Sequence, residues 1–268
     1  MRSLIKRLLR ALGLLKAGRV VYSFVNGLSP VVVATELRVR LTSSGVPVPP
    51  GRLIFFVIGY RWAKVFLDSG ALIVGHVARQ LEANGCKLSE RTAILDFGCG
   101  CGRLIRHLSE RTGARLYGCD YNGELIKWDQ EHLRFAEFKQ NSLEPPLPYE
   151  SESFDLIYAR SVFTHLSEAL QHRWLDELRR VLQPGGYLYF TTHGVQFLHR
   201  MLPEDRKRYD AGEVVVYDVN EEGHNVCSSF ESERYVRERL STGFEVVAYF
   251  PGESTPHLQQ DGYLLRKR

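Results

Sequence analysis

The chain has 268 residues, 44% of them hydrophobic and 25% charged, and a formal net charge of +4. That length can bury one sizeable core, and α/β folds of this size are commonly one domain, while no apolar run is long enough to span a bilayer. The five cysteines, Cys86, Cys99, Cys101, Cys119 and Cys227, are odd in number, which argues for a reducing compartment and excludes a disulfide framework.

The charge is asymmetric. Six of the 35 basic residues (Arg2, Lys6, Arg7, Arg10, Lys16 and Arg19) precede the first acid, Glu36, so the remaining 29 face all 31 acids. On a helical wheel Leu4, Ile5, Leu8, Leu9, Leu12 and Leu15 share one face, and Arg2, Lys6, Arg7 and Arg10 take the other. This predicts a basic amphipathic helix over residues 1–20. It could pack on the rest of the chain, dock on a partner, lie on an anionic membrane surface, or serve as a transit segment; scarce serine disfavours the last. No signal-peptide cleavage pattern follows the leucines, so the expected location is cytoplasmic, with peripheral contact at the inner face of the membrane left open.

Ser43 to Gly51, rich in Pro and Gly, reads as a linker. It divides an N-terminal extension, 1–50, from a main domain, 51–268. Leu53 to Ile58 reads as a short strand, and Arg61 to Ala83 as a helix interrupted at Asp68-Ser69-Gly70.

Ile94 to Arg103 joins a buried strand to a helix through alternating glycines. Glycine reaches backbone angles closed to other residues and lets a ligand approach the main chain, and the helix N-terminus beyond it offers free N–H groups. The pattern is D-x-G-x-G-x-G from Asp96 to Gly102. A dinucleotide fingerprint G-x-G-x-x-G requires glycine where Arg103 stands, so that motif fits poorly. Cys99 and Cys101 are read as small residues lining a tight loop, with no metal site, because no second Cys or His pair has zinc-like spacing.

A second short strand, Leu116 to Cys119, ends in Asp120, Tyr121 and Asn122. A carboxylate at that point can accept both hydroxyls of a ribose. A third, Ala136 to Gln140, precedes Asn141 and Ser142. A fourth, Phe154 to Ala159, leads to Arg160 and Ser161, and Leu182-Gln183-Pro184-Gly185-Gly186 turns into a fifth, Tyr187 to Thr192. Between the last two, Ser167 caps a helix whose inward face carries Leu170, Trp174, Leu175, Leu178, Val181 and Leu182.

From Thr92 to Phe190 these five elements, in order and spacing, resemble the class I S-adenosylmethionine-dependent methyltransferases. The resemblance implies an α/β fold with a Rossmann-like seven-stranded, mostly parallel sheet, an antiparallel last strand and helices on both faces, here with an N-terminal helical extension. It implies a cofactor core at 92–192. Asp96, Gly98, Cys99, Gly100, Gly102 and Arg103 would surround the methionine part of S-adenosylmethionine. Asp120 and Tyr121 would lie at its ribose, Asn141 and Ser142 at its adenine, and Arg160 and Ser161 close by. Tyr60, Arg61 and Trp62 become candidates for a lid.

Phe244 to Phe250 and Gly262 to Arg266 read as the closing pair of strands, preceded by a helix from Glu231 to Leu240. Ligands of open α/β sheets bind beyond the carboxyl ends of the strands. His165 and His193, after the fourth and fifth strands, are therefore candidate catalytic bases for a hydroxyl acceptor. The insertion 197–229, with Tyr217, His224 and Asn225, and the pair Gln260-Asp261 are candidates for acceptor contacts.

Adenine- and glutamine-methylating enzymes place Asn/Asp-Pro-Pro-Tyr/Phe after the fourth strand, where this chain has Arg160-Ser161-Val162-Phe163. No Pro-Cys nucleophile and no basic stripe interleaved with aromatics is present, which argues against nucleic acid. The expected activity is O-methylation of a small-molecule, glycan or lipid-linked acceptor. Two alternatives stand beside it: a non-catalytic cofactor-binding protein that recruits a partner or membrane through its basic helix, and a nucleotide-dependent oxidoreductase.

Overall fold

The computed structural model describes residues 34–35, 37–39 and 45–268; the basic helix expected over 1–20 lies outside them. Two compact units divide between Asp68 and Ser69. In the first, α1 (Gly51–Ile58) replaces the expected strand over Leu53–Ile58. A short apolar run fits either element by periodicity, and here the flanks decide. Pro50 precedes the first helical turn, and Gly59, at φ 72°, closes the last one by donating its N–H to the Phe55 carbonyl. Tyr60 and Trp62 stack with ring centroids 5.4 Å apart.

Helix α2 (Ala63–Ala83) is continuous through Asp68-Ser69-Gly70, where the sequence predicts a break. Gly70 serves packing instead, since a Cβ there would come within 2.5 Å of the Arg103 carbonyl oxygen. Nine strands follow among the described residues: β1 (Ala93–Phe97), β2 (Arg115–Asp120), β3 (Glu137–Gln140), β4 (Phe154–Ala159), β5 (Leu182–Thr192), β6 (Val215–Tyr217), β7 (Ser228–Phe230), β8 (Phe244–Phe250) and β9 (Asp261–Lys267). Seven form one sheet in the order β3-β2-β1-β4-β5-β9-β8, with β9 antiparallel to both neighbours. β6 and β7 form a separate antiparallel pair within the insertion.

β1 and β4 are buried along their whole length, as strands of a parallel sheet covered on both faces must be. Alternation sends Leu95, Phe97, Ile157 and Ala159 into a core with α5 (Glu168–Val181), whose Leu170, Trp174 and Leu178 meet them. The opposite face carries Leu156 and Tyr158, which line a cavity with Ile73, Val77, Leu104 and Leu108. Asp155, the second residue of β4, ties it to β1, its carboxylate accepting the Thr92 backbone N–H at 2.7 Å and the Ala93 N–H at 3.2 Å.

Three further boundaries differ from expectation. The helix expected beyond the glycine loop shrinks to α3 (Ile105–Leu108), because Gly102, at φ 71°, holds the chain in turns up to Leu104. β5 begins at Leu182 rather than Tyr187, absorbing Pro184-Gly185-Gly186 across a register shift against Phe154/Leu156. The helix expected over Glu231–Leu240 is one α-turn, α7 (Glu233–Tyr235), running into a π-turn at Val236–Leu240. α4 (Gly123–His132) and α6 (Pro203–Asp210) complete the elements used below.

Trp174 is fully buried, packs on Phe97 with ring centroids 4.6 Å apart and donates its indole N–H to the Leu143 carbonyl. Trp174→Ala should therefore cost about 3–5 kcal/mol. In a domain of this size that lowers the unfolding midpoint by about 10 °C, which thermal denaturation followed by circular dichroism will measure.

Candidate functional site

The order of strand addition reverses between β1, which leads outward to β2 and β3, and β4, which runs parallel to it and leads the other way to β5. Such a switch leaves a crevice beyond the carboxyl ends of β1 and β4. The Asp96–Gly102 loop forms one side of it. Gly98 and Cys99 donate their backbone N–H groups to the Cys119 carbonyl at 2.8 and 3.0 Å, and the Gly100 N–H goes to Asp120 Oδ2 at 3.0 Å. The loop is thus stitched to the end of β2. Gly98, Gly100 and Gly102 all have positive φ. At Gly98 space is as restrictive as angle, since a Cβ would stand 2.4 Å from Val162 Cγ2.

Three carboxylates crowd beneath this loop. Burial pushes Asp96 up to about 7, with the Tyr158 hydroxyl opposing the shift. Asp120 is also raised by burial, opposed by the N–H groups of Asn122 and Gly100. Asp129, on α4, is pushed up to about 9 by burial, against the pull of Arg106. Asp129 escapes the sequence reading, although it left a signal: it shares the inward stripe of α4 with Leu125 and Leu133 at four-residue spacing. Asp96 Oδ2, Asp129 Oδ1 and Asn141 Oδ1 are buried without a hydrogen-bond partner. Cys99 and Cys101 are buried thiols raised well above their ordinary range, chiefly by desolvation, and so are inert. No group of metal-ligating side chains forms among the described residues.

The helix N-terminus expected beyond the loop is not available at useful length, because α3 has four residues. The N–H groups of Gly98, Cys99, Gly100 and Gly102 are already bonded within the protein, so carboxylates, not free N–H groups, are what this loop region presents. Asn141 is buried at the end of β3, its N–H on the Asp120 carbonyl at 3.2 Å, and Ser142 beside it is exposed. The Tyr121 hydroxyl reaches the insertion, donating to the Gly223 carbonyl at 3.0 Å and lying 2.9 Å from His224 Nδ1. Tyr217 supports α6 from within the insertion, its hydroxyl 2.7 Å from Asp205 and 3.0 Å from the Leu202 N–H.

Across the crevice, Ser161 sits at φ 62°, an uncommon angle for a residue with a side chain. Thr191 accepts its N–H at 2.9 Å, and Gln260 donates to its hydroxyl at 2.9 Å while accepting from Thr191 at 2.8 Å. Asp261 is structural: it accepts from Tyr249 and from the Gly252 N–H. His165 and His193 come together, with ring centroids 6.2 Å apart and planes at 88°. Each rests its Nδ1 on a carbonyl at β7, His165 on Cys227 at 2.7 Å and His193 on Ser229 at 3.0 Å. A carbonyl can only accept, so both Nδ1 atoms carry a proton, and in the neutral ring the lone pair is on Nε2. Desolvation first, and then the fields of His165 and Arg200, hold His193 well below the ordinary imidazole range. Beneath them Glu231 is fully buried, accepts from Gln171 and the Ser229 hydroxyl, and is pushed up to about 7 by burial.

The sheet order with one reversed strand, and a glycine loop answered by an acid at the next strand end, define a class I S-adenosylmethionine-dependent methyltransferase fold. Residues 95–190 match the family described as a methyltransferase domain. The mouse mitochondrial ubiquinone biosynthesis O-methyltransferase is 37% identical over 106 residues, covering 37% of this chain and 28% of the relative. The malonyl-[acyl-carrier protein] O-methyltransferase of Herminiimonas arsenicoxydans is 31% identical over 161 residues, 58% of this chain and 54% of the relative. The match thus spans about half the length of these relatives or less. A methyltransferase structure from Leishmania major superposes with a TM-score of 0.58 at 17% identity, covering 80% of this chain and 77% of that one, and supports the fold. The chain carries a class I S-adenosylmethionine-dependent methyltransferase domain, and S-adenosylmethionine is its cofactor. No helix among the described residues is long and apolar enough to cross a membrane.

Two measurements follow. Gly98→Ala adds both a forbidden angle and a clash with Val162, and should weaken S-adenosylhomocysteine at least about tenfold in calorimetric titration. Adding Val162→Ala relieves only the steric part. His193 should remain neutral in a ring-nitrogen NMR titration at about pH 6, where exposed imidazoles are largely protonated. Since the unfolded chain binds that proton and the folded one does not, the His193 contribution to stability falls as pH drops below the ordinary imidazole value.

Proposed function

We propose that this chain transfers a methyl group from S-adenosylmethionine to an oxygen of a small-molecule, glycan or lipid-linked acceptor, with His165 as general base. The observation that carries this reading is the tautomer lock, which leaves two imidazole lone pairs together at the carboxyl ends of β4 and β5. A hydroxyl is a poor nucleophile until its proton leaves, whereas an amine attacks without a base. The two similar O-methyltransferases point the same way.

The residues around the glycine loop suit the cofactor, which when bound supplies a methyl group on a cationic sulfur. Asp96 Oδ2 and Asn141 Oδ1 are buried acceptors that protein donors leave unsatisfied, as a ligand bearing ammonium and amino groups requires. Each Asp120 oxygen takes one backbone N–H and keeps a lone pair for a ribose hydroxyl. Gly98, Cys99, Gly100 and Gly102 give the main chain its close approach, and a bound cation would draw Asp96, Asp120 and Asp129 back toward their ionised forms. Tyr121 and Ser142 border the ribose and adenine ends.

The two imidazoles divide the work. His193 resists protonation, so the acceptor's proton passes to His165 Nε2, and the Cys227 carbonyl on Nδ1 stabilises the imidazolium formed. Positioning of the hydroxyl in line with the methyl supplies the rest of the rate.

The test uses labelled S-adenosylmethionine and a small-molecule extract. His165→Ala should lower methyl transfer by about 10²-fold or more while S-adenosylhomocysteine affinity holds, and His193→Ala should cost about tenfold. Unchanged turnover in both removes the general base. NAD binding without S-adenosylhomocysteine binding would overturn the methyltransferase reading itself.

A further inference from the structure

The two compact units differ in charge. Residues 1–68 hold 11 of the 35 basic residues and two of the 31 acids, Glu36 and Asp68, a formal +9. The other 24 basic and 29 acidic residues leave 69–268, which carries the glycine loop and the sheet, at −5. The chain's basic character therefore belongs to the first unit, and methyl transfer makes no use of it. From Leu37 to Leu67 there is no acid, while Arg38, Arg40, Arg52, Arg61 and Lys64 are spread along the segment.

Apolar surface accompanies this charge. Leu53 to Ile58 of α1 are all apolar, so the helix has no polar face to turn to water, yet only Leu53 and Ile54 are buried. A helix apolar all round belongs in a core or in lipid. Phe56 is 43% exposed and Tyr60, just past the end of α1, 40%; among the described residues no other Phe, Tyr or Trp is exposed. Half-buried Trp62 stacks on Tyr60, and Arg61 between them holds its guanidinium 6.0 Å from the centre of the Phe55 ring. Aromatic rings with cations beside them suit the headgroup level of a bilayer. The apolar face that the sequence predicts within 1–20, opposite Arg2, Lys6, Arg7 and Arg10, repeats the pairing. Nucleic acid would answer the charge and leave the exposed part of α1 in water, whereas an anionic bilayer answers both.

We propose that the first unit docks on a membrane surface rich in anionic phospholipid, with Phe56, Tyr60 and Trp62 at the headgroup level and the basic residues on the lipid phosphates. The contact is peripheral, since no helix among the described residues is long and apolar enough to cross a bilayer. It needs both signals, because neither one short apolar segment nor a few cations alone holds a protein on lipid. This goes beyond methyl transfer and does not depend on it.

The test mixes the full chain with vesicles of phosphatidylcholine, alone or with about one-third phosphatidylserine, and measures co-sedimentation at about 0.1 M salt. The anionic vesicles should bind at least about tenfold more tightly than the neutral ones, and replacing Arg38 and Arg52 with Gln should weaken binding roughly fivefold per charge. Phe56→Ser, which leaves the charge unchanged, should weaken it at least about threefold; if circular dichroism shows that variant unfolded, Tyr60→Ser makes the same comparison. Insertion is read with lipids brominated on the acyl chain, which quench tryptophan fluorescence on contact. Of the three tryptophans, Trp128 and Trp174 are buried in the second unit, so quenching that Trp62→Phe removes assigns the contact to the segment after α1. Equal binding to neutral and anionic vesicles, binding without quenching of Trp62, or no binding at all overturns the proposal. So does a preference for RNA over anionic vesicles at equal phosphate concentration, which would assign the charge to nucleic acid.

Discussion

The stitch between the glycine loop and the end of β2 holds the functional end of this molecule together. Three consecutive N–H groups, those of Gly98, Cys99 and Gly100, are spent on Cys119 and Asp120. That commits the loop to a conformation only glycine tolerates at several points, and it commits Asp120 to face the crevice. The parallel pairing of β1 with β2 brings the two strand ends level, Phe97 opposite Cys119, so the stitch is a consequence of register. Slip that register and both the loop and the acid lose their place.

Around the stitch the molecule accumulates unfavourable electrostatics. Asp96, Asp120 and Asp129 are buried near one another, and Arg103 and Arg160 are half-buried with no carboxylate partner among the described residues. Such separated charge is costly in the absence of ligands. A donor with a cationic sulfur would meet the acidic side. Stability is thereby given up at the place where function uses it.

The insertion supplies what the central sheet cannot. β6 and β7 bring the Cys227 and Ser229 carbonyls under the two histidines, and the turn at Gly223 meets Tyr121 and the His165 backbone. One segment therefore touches both Tyr121, next to Asp120, and the pair His165 and His193. Gln171 and Glu231 anchor it from below, in a buried network that shows only once the packing is known.

Much of the core was legible because its signals are local. Asp96 to Gly102, Asp120 after its strand, the Ser167 cap and the final pair of strands each rest on backbone angle, periodicity or capping, which neighbouring residues settle among themselves. Leu53–Ile58 was misread because a short apolar run has no period of its own. Gly70 was misread because its reason lies 33 positions away, at the Arg103 carbonyl. By itself the sequence determined the sheet, the glycine loop and the proximity of His165 and His193 to the strand ends. Only the tertiary structure decided that their Nδ1 atoms are locked by β7, that Asp129 joins the buried acids, and that Arg160 stands without a counter-charge. Those depend on contacts between segments distant in the chain, and burial, which sets their energies, does not exist until the segments pack.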